Sequence, residues 1–236
     1  TCTIYGEGHY ITFDDKRFSF NGDCGYNGLV LIWNKKTTLM IKLSSTFKGR
    51  VCGLCGNYDG NIKNDFTTRN KEVVVDALVF GNSWKVSPTC PNANSFKNPC
   101  SLYSHRQAWA IKHCSIINSE VFSICHSKVD PQNYYDACVR DTCACNTGGD
   151  CECFCSAVAA YAAACDKAGA CVRWRTPTIC PVFCDFYNPD GECEWHYEPC
   201  GKPCMKTCRN PSGICYNKIP PLEGCYPRCP PERPYL

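Results

Sequence analysis

No run of apolar residues in this chain approaches the ~18 that a membrane-crossing helix needs, so the sequence predicts no membrane span. Excess charge of one sign is lacking too. Lys and Arg total 25 against 22 Asp and Glu, for a net charge of +3, and both signs are spread along the chain. That balance excludes a nucleic-acid face and a polybasic membrane patch. There is no Asn-x-Ser/Thr acceptor, because the proline of Asn210-Pro-Ser212 disqualifies the only candidate. No Ser/His/Asp arrangement and no glycine-rich phosphate loop can be placed, so the chain is expected not to be an enzyme. Thr1-Cys-Thr-Ile-Tyr5 lacks the charged-then-apolar pattern of a secretory leader, and the chain reads as an excised segment of a longer protein.

What the chain has in abundance is cysteine, 25 in 236 residues. That density belongs to proteins folded in an oxidising compartment, where disulfides replace a large apolar core. The rival explanation, a multi-zinc protein, wants repeated Cys-x2-Cys pairs with matched spacers. Only Cys52-Gly-Leu-Cys55 has that form. The same pair also suggests thiol exchange, but active pairs open a helix, and this one lies between predicted strands. The count is odd, which in a secreted chain points to an intermolecular bridge or a missing partner. The densest stretch runs from Asp141 to Cys155 and holds Cys143, Cys145, Cys151, Cys153 and Cys155. Cysteines two apart cannot easily meet disulfide geometry. Each is therefore expected to reach another part of the chain or another chain.

Residues 1–90 pattern as β structure. Tyr10–Phe20 alternates about an Asp14-Asp15 turn, and Leu29–Trp33 with Thr37–Leu43 flanks a second turn, so two hairpins are predicted. Glu72–Phe80 is a further strand or a short helix. Between them, Asn57, Asp59, Asn61, Asn64 and Asp65 gather oxygens around Gly60. A glycine-bent loop of this kind can converge on a hard cation. It is equally an ordinary Asn/Asp/Gly turn, and the spacing is not that of an EF-hand. Past a linker at 91–99 the period becomes helical. Helices are predicted in 104–114, 118–125, 131–139 and, most clearly, from Ser156 to a stop at Gly169. The last region is rich in proline and has no run that could build an apolar core, so disulfides must hold it.

Gly8-His-Tyr-Ile-Thr-Phe-Asp14, Cys52-Gly-Leu-Cys-Gly-Asn-Tyr-Asp59, Asn64-Asp-Phe66 and Phe80-Gly-Asn-Ser-Trp84 together resemble the signature of a von Willebrand type D domain. The helical stretch resembles the eight-cysteine module that follows such domains, and the end resembles a trypsin-inhibitor-like module. Gly148–Tyr161 and Glu192–Cys200 look closest to the third D assembly of secreted gel-forming mucins of the airway and gastric type, related to von Willebrand factor.

The resemblance implies a multi-module, disulfide-rich fold. A β-sandwich type D domain at 1–92 is followed by a small α-helical cysteine-rich module at 93–175 and an irregular small-β, disulfide-stapled module at 176–236. Relative to the family, the type D domain lacks its middle section near 26–27. The family's structural calcium (Ca2+) residues fall on Asp14, Asn57, Asp59, Asn61 through its carbonyl, Asn64 and Asp65. By the same resemblance Cys2 pairs with Cys55 and Cys24 with Cys90, and the partner of Cys52 lies in the missing section. Interchain disulfides fall on Cys151 and Cys193, with Cys171 a further candidate of unassigned partner.

The implied function is structural. The segment would form calcium-stabilised, disulfide-linked homodimers and join other D assemblies of the same polymer, with no nucleic-acid or membrane partner. It would be assembled in the secretory pathway and would cross-link chains in extracellular mucus. The alternatives are an adhesion or matrix protein built of the same modules without covalent dimerisation, and a protease inhibitor.

Overall fold

The computed structural model describes residues 3–5, 9–11, 17–19, 29–33, 39–94, 98–145, 150–188, 192–215 and 220–236. The chain divides into two compact units, 1–95 and 96–236.

In the first unit, β1 (Thr3–Tyr5), β2 (His9–Ile11) and β3 (Arg17–Ser19) form an antiparallel sheet in chain order. His9 lies opposite Ser19 and Ile11 opposite Arg17, the register of the hairpin expected about Asp14-Asp15. The second expected hairpin is β4 (Leu29–Trp33) paired with β5 (Leu39–Leu43), Leu29 facing Leu43 and Trp33 facing Leu39. The described strands thus form separate antiparallel sheets.

Residues 72–80 divide between the two forms the sequence left open. Val73 bridges Thr67, after which Asp76 caps α1 (Ala77–Ser83) by accepting the Val79 N–H at 2.8 Å. That oxygen satisfies one of the donors a helix start leaves unpaired. The cap turns Phe80 inward, where its ring stacks on Phe66 with centroids 4.7 Å apart.

The second unit carries the main core. Its helices are α2 (Pro99–Leu102), α3 (Ser104–Cys114), α4 (Ser123–His126), α5 (Gln132–Ala144) and α6 (Asp150–Lys167). The helix expected from Ser156 begins a turn and a half earlier, inside the cysteine cluster. It stops where expected, because Gly169 adopts φ +76°, a conformation costly for any residue with a Cβ. The alanines of α6 let α5 approach closely. Between and around them are buried Ile117, Phe122, Val158, Tyr161 and Trp174. Disulfides run through this core: Cys114–Cys138 joins α3 to α5, and Cys125–Cys165 joins α4 to α6.

Tyr161 is wholly buried between Phe122 and Tyr134, with ring centroids 5.0 and 5.1 Å away, and its hydroxyl donates to the Val129 carbonyl at 3.0 Å. Tyr161→Phe keeps the packing but orphans that carbonyl. Equilibrium denaturation should register a loss of about 1–2 kcal/mol, with no change in disulfide pattern.

The end of the chain forms a small antiparallel sheet, β6 (Glu194–Gly201) against β7 (Leu222–Arg228). Its strands are only half buried. Disulfides supply what a core would: Cys171–Cys200, Cys184–Cys225, Cys193–Cys229 and Cys204–Cys215. Trp174 and Cys180 pack in the helical core.

Candidate functional site: an exposed thiol and an oxygen-rich loop

The cysteine cluster resolves through helix geometry. Residues along a helix step by ~100°, so Cys151 and Cys155 share a face of α6 while Cys153 points the opposite way. Cys153 reaches back to Cys145, Cys155 bonds Cys180, and Cys143 bonds Cys100. The Cys145–Cys153 bond spans only eight residues. This corrects the expectation that each cysteine of the stretch reaches elsewhere: the last residue after α5 and the first turn of α6 come close enough for one pair to close locally. Cys151, on the first turn of α6, is exposed and carries no bond.

At Cys193 the structure differs from the interchain expectation. Its sulfur is bonded to Cys229, with Cα atoms 4.1 Å apart, and the residue is buried at the sheet end. The antiparallel pairing sets Glu194 opposite Arg228, which brings the flanking cysteines together. Cys171, whose partner sequence reasoning left open, bonds Cys200. Cys52, Cys55 and Cys90 are exposed and unbonded among the described residues, as is Cys208. The expected partners Cys2 and Cys24 lie outside the described residues, so those two pairings are not drawn.

The oxygen-rich loop of the first unit brings together five of the six residues assigned to calcium; Asp14 lies outside the described residues. Asp59 is the hub. Its carboxylate accepts from the Asn57 amide at 2.9 Å, the Asn64 amide at 2.8 Å and the Asn61 backbone N–H at 2.7 Å. The Asn64 bond, followed by that of Asn61, holds the Asp59 carboxyl below the usual carboxylate range. The loop bends through Gly60 at φ +89° and Gly56 at φ +79°. At Gly56 a Cβ would lie 2.4 Å from the Asp65 carboxylate oxygen, so only glycine admits that close approach. Asn64 Oδ1 is buried without a hydrogen-bond partner. An orphaned amide oxygen beside two carboxylates is a donor set suited to a hard cation.

Among the described residues, the one other group with metal-ligand spacing is Asp166, Cys171 and Cys200. Its sulfurs are joined in a disulfide and offer no thiolate.

Two features escaped sequence reasoning. Arg175 binds both carboxylate oxygens of Glu223, at 2.8 and 2.9 Å, and donates to the Cys180 carbonyl at 2.9 Å. Tyr197 donates to the same carboxylate at 2.6 Å. Desolvation, then the Glu223 contact, pushes the Tyr197 hydroxyl well above its ordinary pKa. The second feature is the segment 181–186, which runs into a short 3-10 helix at Cys184–Tyr187 and exposes Phe183 and Phe186. His196, the histidine nearest Cys193, sits 3.1 Å from Glu194 on the exposed strand.

Comparison with known families places three modules on these units. Residues 2–31 and 27–72 match the von Willebrand factor type D domain, residues 113–181 the C8 domain, and residues 193–236 the otogelin-like/mucin TIL domain. Human Mucin-5AC is 46% identical over 314 positions covering 99% of this chain. Rat Mucin-2 is 47% identical over 313 positions, also covering 99%. Human Mucin-19 is 48% identical over 211 positions covering 89%. The chain spans 6%, 21% and 2% of these relatives respectively, a small part of each. The Mucin-5AC alignment runs over 314 positions, 78 more than the 236 residues of the chain, so at least 78 of its positions have no counterpart here. The type D match breaks into two segments that meet at 27–31.

Proposed function

We propose, from the premise that this chain belongs to the gel-forming mucin family as one of its D assemblies, that it is the third such assembly and joins two mucin chains through a disulfide between paired Cys151 residues. It is a structural, non-enzymatic part of a secreted protein, and its disulfide framework suits an oxidising compartment. Self-association accords with its family. The observation that carries the covalent reading is Cys151 itself, an exposed, unbonded sulfur on a helix whose other cysteines are all paired. Bond formation takes one proton from each thiol and passes two electrons to an oxidant of the disulfide class, which is reduced to thiols. The in-chain bond of Cys193 favours one bridge per pair here rather than two.

The test is electrophoresis of the chain with and without reductant, followed by peptide mapping of the larger band. A reducible dimer with Cys151 peptides from both chains supports the reading. A monomer under both conditions favours an adhesion role for the same modules.

Calcium is the second element of the proposal. Asp59, Asn57, Asn61, Asn64 and Asp65 would hold the ion with Asp14, and the ion's charge would fix a loop otherwise held by hydrogen bonds among its own side chains. Supporting this are the unpartnered Asn64 oxygen and the Asp65 carboxylate folded over Gly56. Asp59→Asn should weaken calcium binding at least tenfold by isothermal titration. Because the Asp59 pKa is depressed in the fold, its contribution holds above the ordinary carboxylate range and is lost as pH falls through the folded value. Calcium affinity should fall over the same acidic window.

We also propose that the type D domain of this chain lacks the middle section its relatives carry. The 78 unmatched positions and the break at 27–31 support this, and it would leave Cys52 without its family partner.

A further inference from the structure

The disulfides of this chain differ in how far solvent reaches them. Cys114, Cys138, Cys125 and Cys165 are wholly buried, and the other bonded cysteines, with one exception, are buried or half-buried. The exception is Cys171, which among the described residues is the one exposed cysteine that carries a bond. A thiolate must reach a disulfide sulfur to exchange with it. Cys171–Cys200 is therefore the bond that its surroundings leave most open.

The same bond has a proton carrier beside it. A carboxylate oxygen of Asp166 lies within 4.8 Å of both sulfurs, a span that one water bridges. Asp166 stands in the last turn of α6, half-buried, and desolvation holds its carboxyl above the ordinary value. Tyr226 of β7 faces it, its hydroxyl pushed up by desolvation and then by this carboxylate. Lys167 follows it in the chain, and Lys128 donates to the Gly169 carbonyl just past the same helix end at 2.7 Å. Opening the bond leaves the strand fastened. Arg173 donates to the Tyr197 carbonyl at 3.2 Å, Arg175 pairs with Glu223 at 2.8 Å, and β6 keeps its ladder with β7. Cys200 thus stays near Cys171, and that nearness favours reclosure.

We propose that Cys171 is a site of reversible modification by a small soluble thiol of the glutathione class, through exchange at Cys171–Cys200, with Asp166 passing the proton to and from Cys200. In the opening step the thiolate of the small thiol attacks the Cys171 sulfur. The bond to Cys200 breaks, its electron pair goes to the Cys200 sulfur, and that sulfur takes the Asp166 proton. A mixed disulfide on Cys171, a thiol at Cys200 and a carboxylate at Asp166 result. One disulfide and one reduced sulfur stand on each side, so no oxidant or further reductant is needed. In the return step Asp166 takes the proton back, Cys200 attacks the Cys171 sulfur, and the small thiolate leaves. The attack falls on Cys171 because it is the exposed member of the pair, and Cys200 is only partly exposed on β6.

In the test, the exposed unbonded cysteines are first capped with iodoacetamide, which takes Cys151 out of the reaction and makes the result independent of the dimer reading. The chain is then incubated with reduced glutathione, quenched in acid, labelled with N-ethylmaleimide and mapped by peptide mass spectrometry. Glutathione should appear on Cys171 and maleimide on Cys200 at least tenfold faster than any other bonded pair opens, with the circular dichroism unchanged. For the return step, glutathione is removed and reclosure is followed between pH 8 and pH 6. Over that range the thiolate fraction of an ordinary thiol falls roughly 50–100-fold. Reclosure in the wild type should fall less than tenfold, because Asp166 accepts the proton, whereas Asp166→Asn should follow the full fall. Another bond opening as fast, glutathione on Cys200 in place of Cys171, or matching pH profiles in the two proteins each overturns the inference.

Discussion

A Cys151→Ser chain should run as a monomer on a non-reducing gel under conditions where the wild type runs as a reducible dimer, with unfolding behaviour unchanged. The effect is all or none because a disulfide cannot form from one side. The fold should be indifferent because Cys151 is exposed and its sulfur bonds nothing within the chain. Cys208→Ser is the informative companion. Its sulfur is also exposed and unbonded, but it lies on an irregular segment beside the backbone bond from the Leu236 N–H to the Lys206 carbonyl, outside the helix frame. The Cys208 variant should retain the dimer. If the two variants behaved in the reverse way, the bridge would belong to the end module and the role given to α6 would be wrong.

How far these features were legible in sequence depends on how local their causes are. Alternation at Tyr10–Phe20 and about residues 34–36 was enough for both hairpins, since strand pairing across a short turn is a neighbour effect. Gly169 marked the end of α6 because its φ is a local necessity. The start of α6 was not legible. Cysteines at every second position pointed to partners elsewhere in this chain or in another, whereas winding that stretch into a helix sends Cys153 and Cys155 to different faces and satisfies both. Disulfide pairing is set by tertiary packing, so Cys171–Cys200 and Cys193–Cys229 could not be read from spacing. The oxygen-rich loop was half legible. Its clustered oxygens are visible in the chain, but the buried orphan at Asn64 and the pressure of Asp65 on Gly56 are properties of the folded loop. Phe183 and Phe186 carried no sequence signal, because an aromatic in a proline-rich segment is more often buried than displayed.

Glu223→Ala should destabilise the second unit by about 3–5 kcal/mol, the loss usual when one partner of a largely buried pair is removed. Arg175 is 15% and Glu223 22% accessible at the side chain, so solvent can replace little of what is lost. The guanidinium would keep its bond to the Cys180 carbonyl and its place over the Trp174 ring, 4.2 Å from the centroid, but its charge would have no counter-ion. The Tyr197 hydroxyl would lose its acceptor as well. Thermal unfolding should shift down by roughly 10 °C, at ~2–4 °C per kcal/mol for a unit of this size. Glu223→Gln, which keeps an acceptor and loses only the charge, should cost less. An Arg175→Met/Glu223→Leu chain should recover much of the stability, because a well-packed apolar pair avoids the desolvation cost that the ion pair bears. The alkaline limb offers an independent check. Tyr197 resists ionisation in the fold, so its contribution is complete below the ordinary tyrosine pKa of ~10 and declines as pH rises above it. Removing Glu223 takes away the second cause of that resistance and leaves desolvation, the first. The alkaline loss should become shallower without disappearing. The pair ties the segment leaving the helical core to β7, the strand that also anchors the Phe183 loop through Cys184–Cys225. Cys151→Ser, by contrast, should abolish the dimer and leave the melt untouched, which separates a sulfur that makes the bond from a salt bridge that holds the fold.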